Sequence, residues 1–159
     1  MATFGRLLLY RPGTPPLIEP LAPAAPIPMV IGMSGVESLT AKMVAGVRRA
    51  WERNQPLYER IFNSIDDIVL QGVSALNDQD LEHLGDLMNV CQGMLNSLQV
   101  SSWEIEEMIQ IARQQGALGA KLTGGGGGGS IIALCPEDPQ RVVRAIENAG
   151  YQAMEVEIG

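Results

Sequence analysis

Gly119-Ala120-Lys121-Leu122-Thr123-Gly124-Gly125-Gly126-Gly127-Gly128-Gly129-Ser130 sets six consecutive glycines between two strand-like runs. Each ordered glycine costs about 0.5–1 kcal/mol of conformational entropy relative to alanine, so an ordered run needs a physical reason. Three readings compete: a flexible linker, a tight loop where one backbone passes close to another, or an anion cradle of side-chain-free N–H groups. Lys-Leu-Thr and the apolar Ser130-Ile131-Ile132-Ala133-Leu134-Cys135 abut the glycines directly, and such flanks exclude the linker. A dinucleotide turn would open a helix, but here a strand follows, and no Gly-x-x-x-x-Gly-Lys-Ser/Thr is present. On chemistry alone the phosphate cradle and the structural turn stay open. Lys121 is one of two lysines, with Lys42, and stands three residues before the loop. It serves either as a phosphate contact or as a solvated strand-end cation. Thr123 offers its hydroxyl to a phosphate or substrate oxygen, or caps the turn.

Upstream of the loop lie four helical patterns. Leu39, Met43, Val47 and Ala50 share a face, with Ser38 as N-cap. Leu57, Ile61, Ile65, Ile68 and Leu76 form a second stripe. Leu81, Leu84, Met88, Cys91, Leu95 and Leu98 form a third, and a fourth helix covers about residues 103–115. There Ser101 and Glu104 have capping-box spacing. Downstream, Asp138-Pro139 marks an N-cap and first helical position, with Val142, Val143 and Ile146 on the apolar side and Gly150 at the end. A final strand alternates, Met154, Val156 and Ile158 against Glu155 and Glu157.

Toward the N-terminus, residues 2–11 read as one strand without a sequence-local partner. Seven of the ten prolines then fall between positions 12 and 28, an extended connector, since proline lacks an N–H and restricts its predecessor. Met29-Val30-Ile31 suits a buried strand, and Gly32 to Gly35 turns the chain. The order implies an α+β fold, a small sheet covered by helices.

Composition narrows the function. With 159 residues the chain suits one ordinary domain, and 46% apolar residues exclude disorder. A formal charge of −7 argues against nucleic acid as a partner. No apolar run approaches the roughly 20 residues that span a bilayer, so no membrane partner is expected. Leu7-Leu8-Leu9-Tyr10 is too short for a signal-peptide core, which points to the cytoplasm. Cys91 and Cys135 read as core thiols. His83 and the acids Asp66, Asp67, Asp78 and Asp80 read as solvated helix positions and a helix start. Trp51 and Trp103 follow helical spacing and read as packing. Met33-Ser34-Gly35 follows a strand and could line the substrate side of a cleft.

Residues 119–129 resemble the third signature of the GHMP kinases, Lys-Leu-Thr-Gly-Ala-Gly-Gly-Gly-Gly-Cys in its mevalonate kinase form. Gly125 replaces the family's alanine and Ser130 its frequent cysteine; neither change removes a backbone donor. Thr40-Ala41-Lys42-Met43-Val44-Ala45-Gly46-Val47-Arg48 resembles the family's Thr-x-x-x-Val-Ala-x-Val-Arg helix start. Residues 89–100 resemble Asn-x-x-His-x-Leu-Leu-x-x-Leu-x-Val, with Gln92 in place of histidine. Ala2-Thr3-Phe4-Gly5-Arg6-Leu7 resembles the strand closing the family's N-terminal domain.

The resemblance implies the C-terminal half of an ATP-dependent, mevalonate kinase-like phosphotransferase, built on a ferredoxin-like antiparallel sheet with extra helices. Residues 1–11 would be a strand remnant of a missing N-terminal domain, 12–28 the Pro-rich connector, and 29–159 the C-terminal domain. The phosphate and substrate contacts it implies are Lys121, Thr123, Gly124, Gly125, Gly126, Gly127, Gly128, Gly129 and Ser130. No catalytic base and no metal ligand is expected in this chain, because the family's Pro-Gly-Lys, Gly-Leu-Gly-Ser-Ser-Ala and Ser-Gly-x-Asp motifs are absent. ATP and Mg²⁺ belong to the intact enzyme and are not expected to bind this chain tightly. The expected partners are the N-terminal kinase domain and a second copy. The alternative is a ferredoxin-like ligand-binding or dimerisation module without catalysis.

Overall fold

The computed structural model describes residues 7–37 and 40–159. It comprises β1 (Leu8–Arg11), β2 (Leu17–Pro20), β3 (Ile27–Met33), α1 (Thr40–Arg53), α2 (Gln55–Asp78), α3 (Leu81–Ser97), α4 (Trp103–Gln114), β4 (Gly119–Thr123), β5 (Ser130–Leu134), α5 (Pro139–Asn148) and β6 (Gln152–Ile158). The last four strands form one antiparallel sheet in the order β4-β5-β3-β6. That is the ferredoxin-like β-α-β-β-α-β order, with α1–α4 filling the first crossover.

Period-two alternation divides the sheet between two apolar clusters. Val30, Ala120, Leu122, Ile131 and Ala133 gather with Ile105, Met108 and Ile109 of α4 and Val142 and Ile146 of α5. Ile27, Met29, Leu134, Val156 and Ile158 gather instead with Leu76, Leu84 and Met88 of α2 and α3. Both cysteines are buried core thiols. Helix α3 approaches β4 closely enough to exclude side chains, since a Cβ on Gly119 would lie 2.2 Å from the Gly85 carbonyl oxygen.

The N-terminal reading needs correction. β1 has a partner nearby, because β2 pairs with it antiparallel from Leu8↔Pro20 to Arg11↔Leu17. The proline block is therefore partly strand. Pro20 is tolerated by its register: the neighbouring Leu21 N–H makes the bond to Leu7 C=O at 3.0 Å, so the Pro20 nitrogen faces away from β1. The expectations for residues 2–6, Ser38 and Leu39 lie outside the described residues. Gly32 stays inside β3, packed where a Cβ would sit 3.0 Å from Ile131 Cγ1, and the turn comes later.

Three smaller differences are local. The N-cap of α4 is Ser102, not Ser101, and its hydroxyl accepts the Ile105 N–H. Trp103, at the first position of that helix, is 77% exposed and so is not packing. Met154 is 48% exposed although Val156 and Ile158 on the same side are packed. Asp80 and Asp138 cap α3 and α5, accepting the N–H groups of His83 and Arg141 at 3.0 Å each.

Candidate functional site

The six glycines form the β4–β5 connection, and nearly every one of them is required. Gly124, Gly126, Gly127, Gly128 and Gly129 hold φ between +72° and +126°, where residues with a Cβ are strained. Gly125 has no such φ, but a Cβ there would fall 2.6 Å from Thr40 Oγ1. Added Cβ atoms would lie 2.1 Å from the Val100 oxygen at Gly126 and 2.8 Å from the Val36 oxygen at Gly128. The loop is an ordered close approach.

Among the described residues, three backbone bonds pin it. Gly127 N–H donates to Val100 C=O at 2.7 Å, Gly129 N–H to Val36 C=O at 3.0 Å, and Ser34 N–H to Gly129 C=O at 2.8 Å. The N–H groups of Gly124, Gly125 and Gly128 have no protein acceptor among the described residues. Gly125 abuts Thr40, the first residue of α1, and Gly127 abuts Met43 one turn on. A rigid loop with spare donors therefore meets a helix N-terminus, where unsatisfied N–H groups and the helix dipole favour anions. Phosphate oxygens fit this donor set. Among the described residues no group of three or more His, Cys, Asp or Glu converges. Asp138, near in sequence, is occupied as the α5 cap.

The remaining expected residues separate. Thr123 is exposed and pairs across the ladder with Ser130, which in turn faces Met33, so the three form a row beside the loop. Lys121 does not turn to the glycines: its ammonium donates to the Leu122 carbonyl at 2.8 Å. Burial holds its pKa below the usual lysine value, an effect offset in part by the nearby Cys91. Ser34 Oγ accepts the Val36 N–H at 3.1 Å.

A side-chain clamp on β4 escapes the sequence reading. β4 is an edge strand, and its outward backbone groups are taken by α3. Asn89 Nδ2 donates to Leu118 C=O at 2.9 Å, while its Oδ1 accepts Ala120 N–H at 3.1 Å and Arg113 Nε at 2.7 Å. Arg113 Nη2 closes the ring on Ala120 C=O at 3.0 Å. One turn on, Gln92 Oε1 accepts Leu122 N–H at 2.8 Å, and its Nε2 donates to Glu106 at 2.8 Å and Ser101 at 3.2 Å. The strand leading into the glycine loop is thus fixed on both edges. A signal was available, since Gln92 interrupts the otherwise apolar surroundings of Met88, Cys91 and Leu95. Beside the loop, Met43, Val47, Trp51, Phe62 and Gly125 line an apolar cavity of about 410 Å³.

The family described as GHMP kinases C terminal matches residues 73–152. The mevalonate kinase of Thermococcus gammatolerans is 38% identical over 163 aligned residues, covering 99% of this chain and 48% of that protein. The mevalonate kinase of Methanothermobacter thermautotrophicus is 41% identical over 81% of this chain and 42% of that protein. Among solved structures, L. major mevalonate kinase in complex with R-mevalonate superposes with a TM-score of 0.89 at 31% identity, over 97% of this chain and 50% of that one. The chain spans about half the length of the curated relatives it matches. A loop with spare amide donors, a ferredoxin-like sheet and these likenesses agree: the chain belongs to the GHMP kinases and carries their C-terminal domain.

Proposed function

We propose that this chain provides the C-terminal half of an ATP-dependent small-molecule kinase of mevalonate kinase type, which passes a phosphoryl group from ATP to the mevalonate hydroxyl in isoprenoid-precursor synthesis. The observation that carries this reading is the pinned glycine loop, with the N–H groups of Gly124, Gly125 and Gly128 unspent beside the α1 N-terminus. Phosphoryl transfer depends mostly on positioning and charge stabilisation, and a preformed amide cradle supplies both without reorganising. Thr123 and Ser130 add hydroxyls at its rim, and ATP with Mg²⁺ is the cofactor of the complete enzyme. Lys121 has at most an indirect role, through β4.

Alone, the chain is catalytically silent. The base, the metal ligands and the second phosphate-binding motif belong to an N-terminal kinase domain, the principal partner, supplied in cis or in trans. The protein works in the cytoplasm, a reading compatible with the absence, among the described residues, of any helix long and apolar enough to cross a membrane. A coupled ATP-turnover assay with mevalonate tests this: the purified chain should show no turnover, and enzyme-like rates would overturn the reading.

One observation favours a second reading, a non-catalytic dimerisation module. α1 has no buried residue and α2 only Ala75, while Val44, Leu57, Val69 and Leu70 are 61%, 42%, 43% and 39% exposed. Exposed apolar side chains on both helices favour a partner, and a homodimer would cover them. Light scattering should then report a dimer, and a clean monomer would remove this reading.

A further inference from the structure

Helix α1 is strongly basic in an acidic chain. It carries Lys42, Arg48, Arg49 and Arg53 against Glu52 alone, a net +3, where the whole chain is −7. Arg48 is engaged with Glu52 at 3.1 Å. Lys42, Arg49 and Arg53 form no salt bridge among the described residues and lie at helical spacing on one face. All three line a cavity of about 260 Å³ between α1 and the turn at Leu98 and Gln99, and among the described residues no carboxylate lines it. Arg49 and Arg53, one turn apart, repel each other and work against the helix when nothing lies between them.

Gly46 stands in the middle of the same stripe. A mid-helix glycine costs about 1 kcal/mol relative to alanine, and a Cβ at Gly46 would meet nothing within 4 Å. No packing contact therefore explains it, whereas its bareness deepens the floor of the cationic cavity.

We propose that this cavity is a second anion site, which binds a phosphorylated small molecule such as a phosphate ester or a diphosphate. Its volume lies below the roughly 300 Å³ at which pockets for larger organic ligands begin, and three cations suit a multiply charged phosphate. It is distinct from the glycine loop: at 1.5 Å per residue, Arg49 and Arg53 lie about 13 and 20 Å along the helix from Thr40. Two contacts couple the sites. Gln99, at φ +59°, forms one wall and precedes Val100, whose carbonyl holds Gly127 N–H at 2.7 Å. Met43 lines the cavity and also touches Gly127. An anion that orders this turn therefore stiffens the loop. The proposal stands whether or not that loop serves phosphoryl transfer.

Calorimetric titration of the whole chain with inorganic diphosphate at fixed ionic strength tests it. Saturable binding is expected, weakened tenfold or more both in the double variant Arg49→Ala/Arg53→Ala and in Gly46→Leu, which fills the cavity without changing charge. In amide NMR spectra the Gly127 resonance should shift with diphosphate in the parent chain and stay still in both variants. Far-UV circular dichroism should be unchanged, since all three positions are outside the core. Absence of saturable binding overturns the proposal, even if anionic lipid vesicles bind. So does binding that survives both variants, as the glycine loop would give. Loss in the double variant with full retention in Gly46→Leu assigns the effect to diffuse charge and also overturns it.

Discussion

The side-chain oxygen of Gln92 accepts the backbone N–H of Leu122 at 2.8 Å, across 30 residues of chain. Gln92 is 2% exposed, and its amide nitrogen is bonded in turn to Ser101 and Glu106. One side chain thus joins α3, α4 and the edge strand that enters the glycine loop. An edge strand normally presents unpaired backbone groups; here side chains of the same domain cap them.

Replacing Gln92 by leucine keeps the volume but leaves the Leu122 N–H buried without a partner. The cost should be about 1–3 kcal/mol. Urea unfolding would record it as a lower midpoint with an unchanged slope.

The glycine loop allows steric demand to be separated from backbone conformation. Gly126→Ala combines φ +73° with a Cβ 2.1 Å from the Val100 oxygen, whereas Gly116→Ala meets φ +100° with nothing within 4 Å. The first should lose about 3 kcal/mol and the second about 1 kcal/mol. Thermal unfolding of the pair measures the difference.

Gly46→Ala should act in the opposite direction. The position lies inside α1 with free space around its Cβ, so the gain in helix propensity is up to about 1 kcal/mol. A rise in melting temperature would register it.

Tyr151 donates its hydroxyl to Glu107, tying the start of β6 to α4. That bond, with lesser contributions from burial and from the charges of Glu107 and Glu104, pushes the Tyr151 pKa up to about 12 from a usual 10.0. Because the folded pKa is the higher, this stabilisation is complete below pH 10 and is lost as pH rises toward 12. The stability difference between the parent chain and Tyr151→Phe should therefore shrink across that window in chemical denaturation at stepped pH.

Much of this architecture is legible in the residues. Leu81, Leu84, Met88 and Cys91 announce α3, Asp138-Pro139 marks the start of α5, and the apolar flanks of the glycines exclude a linker. What escaped has physical causes. Prolines obscure strand pairing, so β2 was hidden inside a block that carries few backbone donors. Adjacent serines at 101 and 102 offer two caps, and only the backbone geometry chooses Ser102. Gln92 shows only as a polar break among Met88, Cys91 and Leu95, and nothing local says which backbone group it caps. The contact of Gly125 with Thr40 joins positions far apart in sequence, which a local pattern does not reveal.

On the function proposed above, the glycine loop is one wall of a phosphate site that a second domain completes. This is tested most directly by joining this chain to the N-terminal half of the Thermococcus gammatolerans mevalonate kinase and measuring ATP turnover with R-mevalonate. This chain alone should show no turnover, and the folded chimera should turn over, with Gly126→Ala abolishing it. Enzyme-like turnover by the chain alone, or a folded chimera that stays inactive, would contradict it.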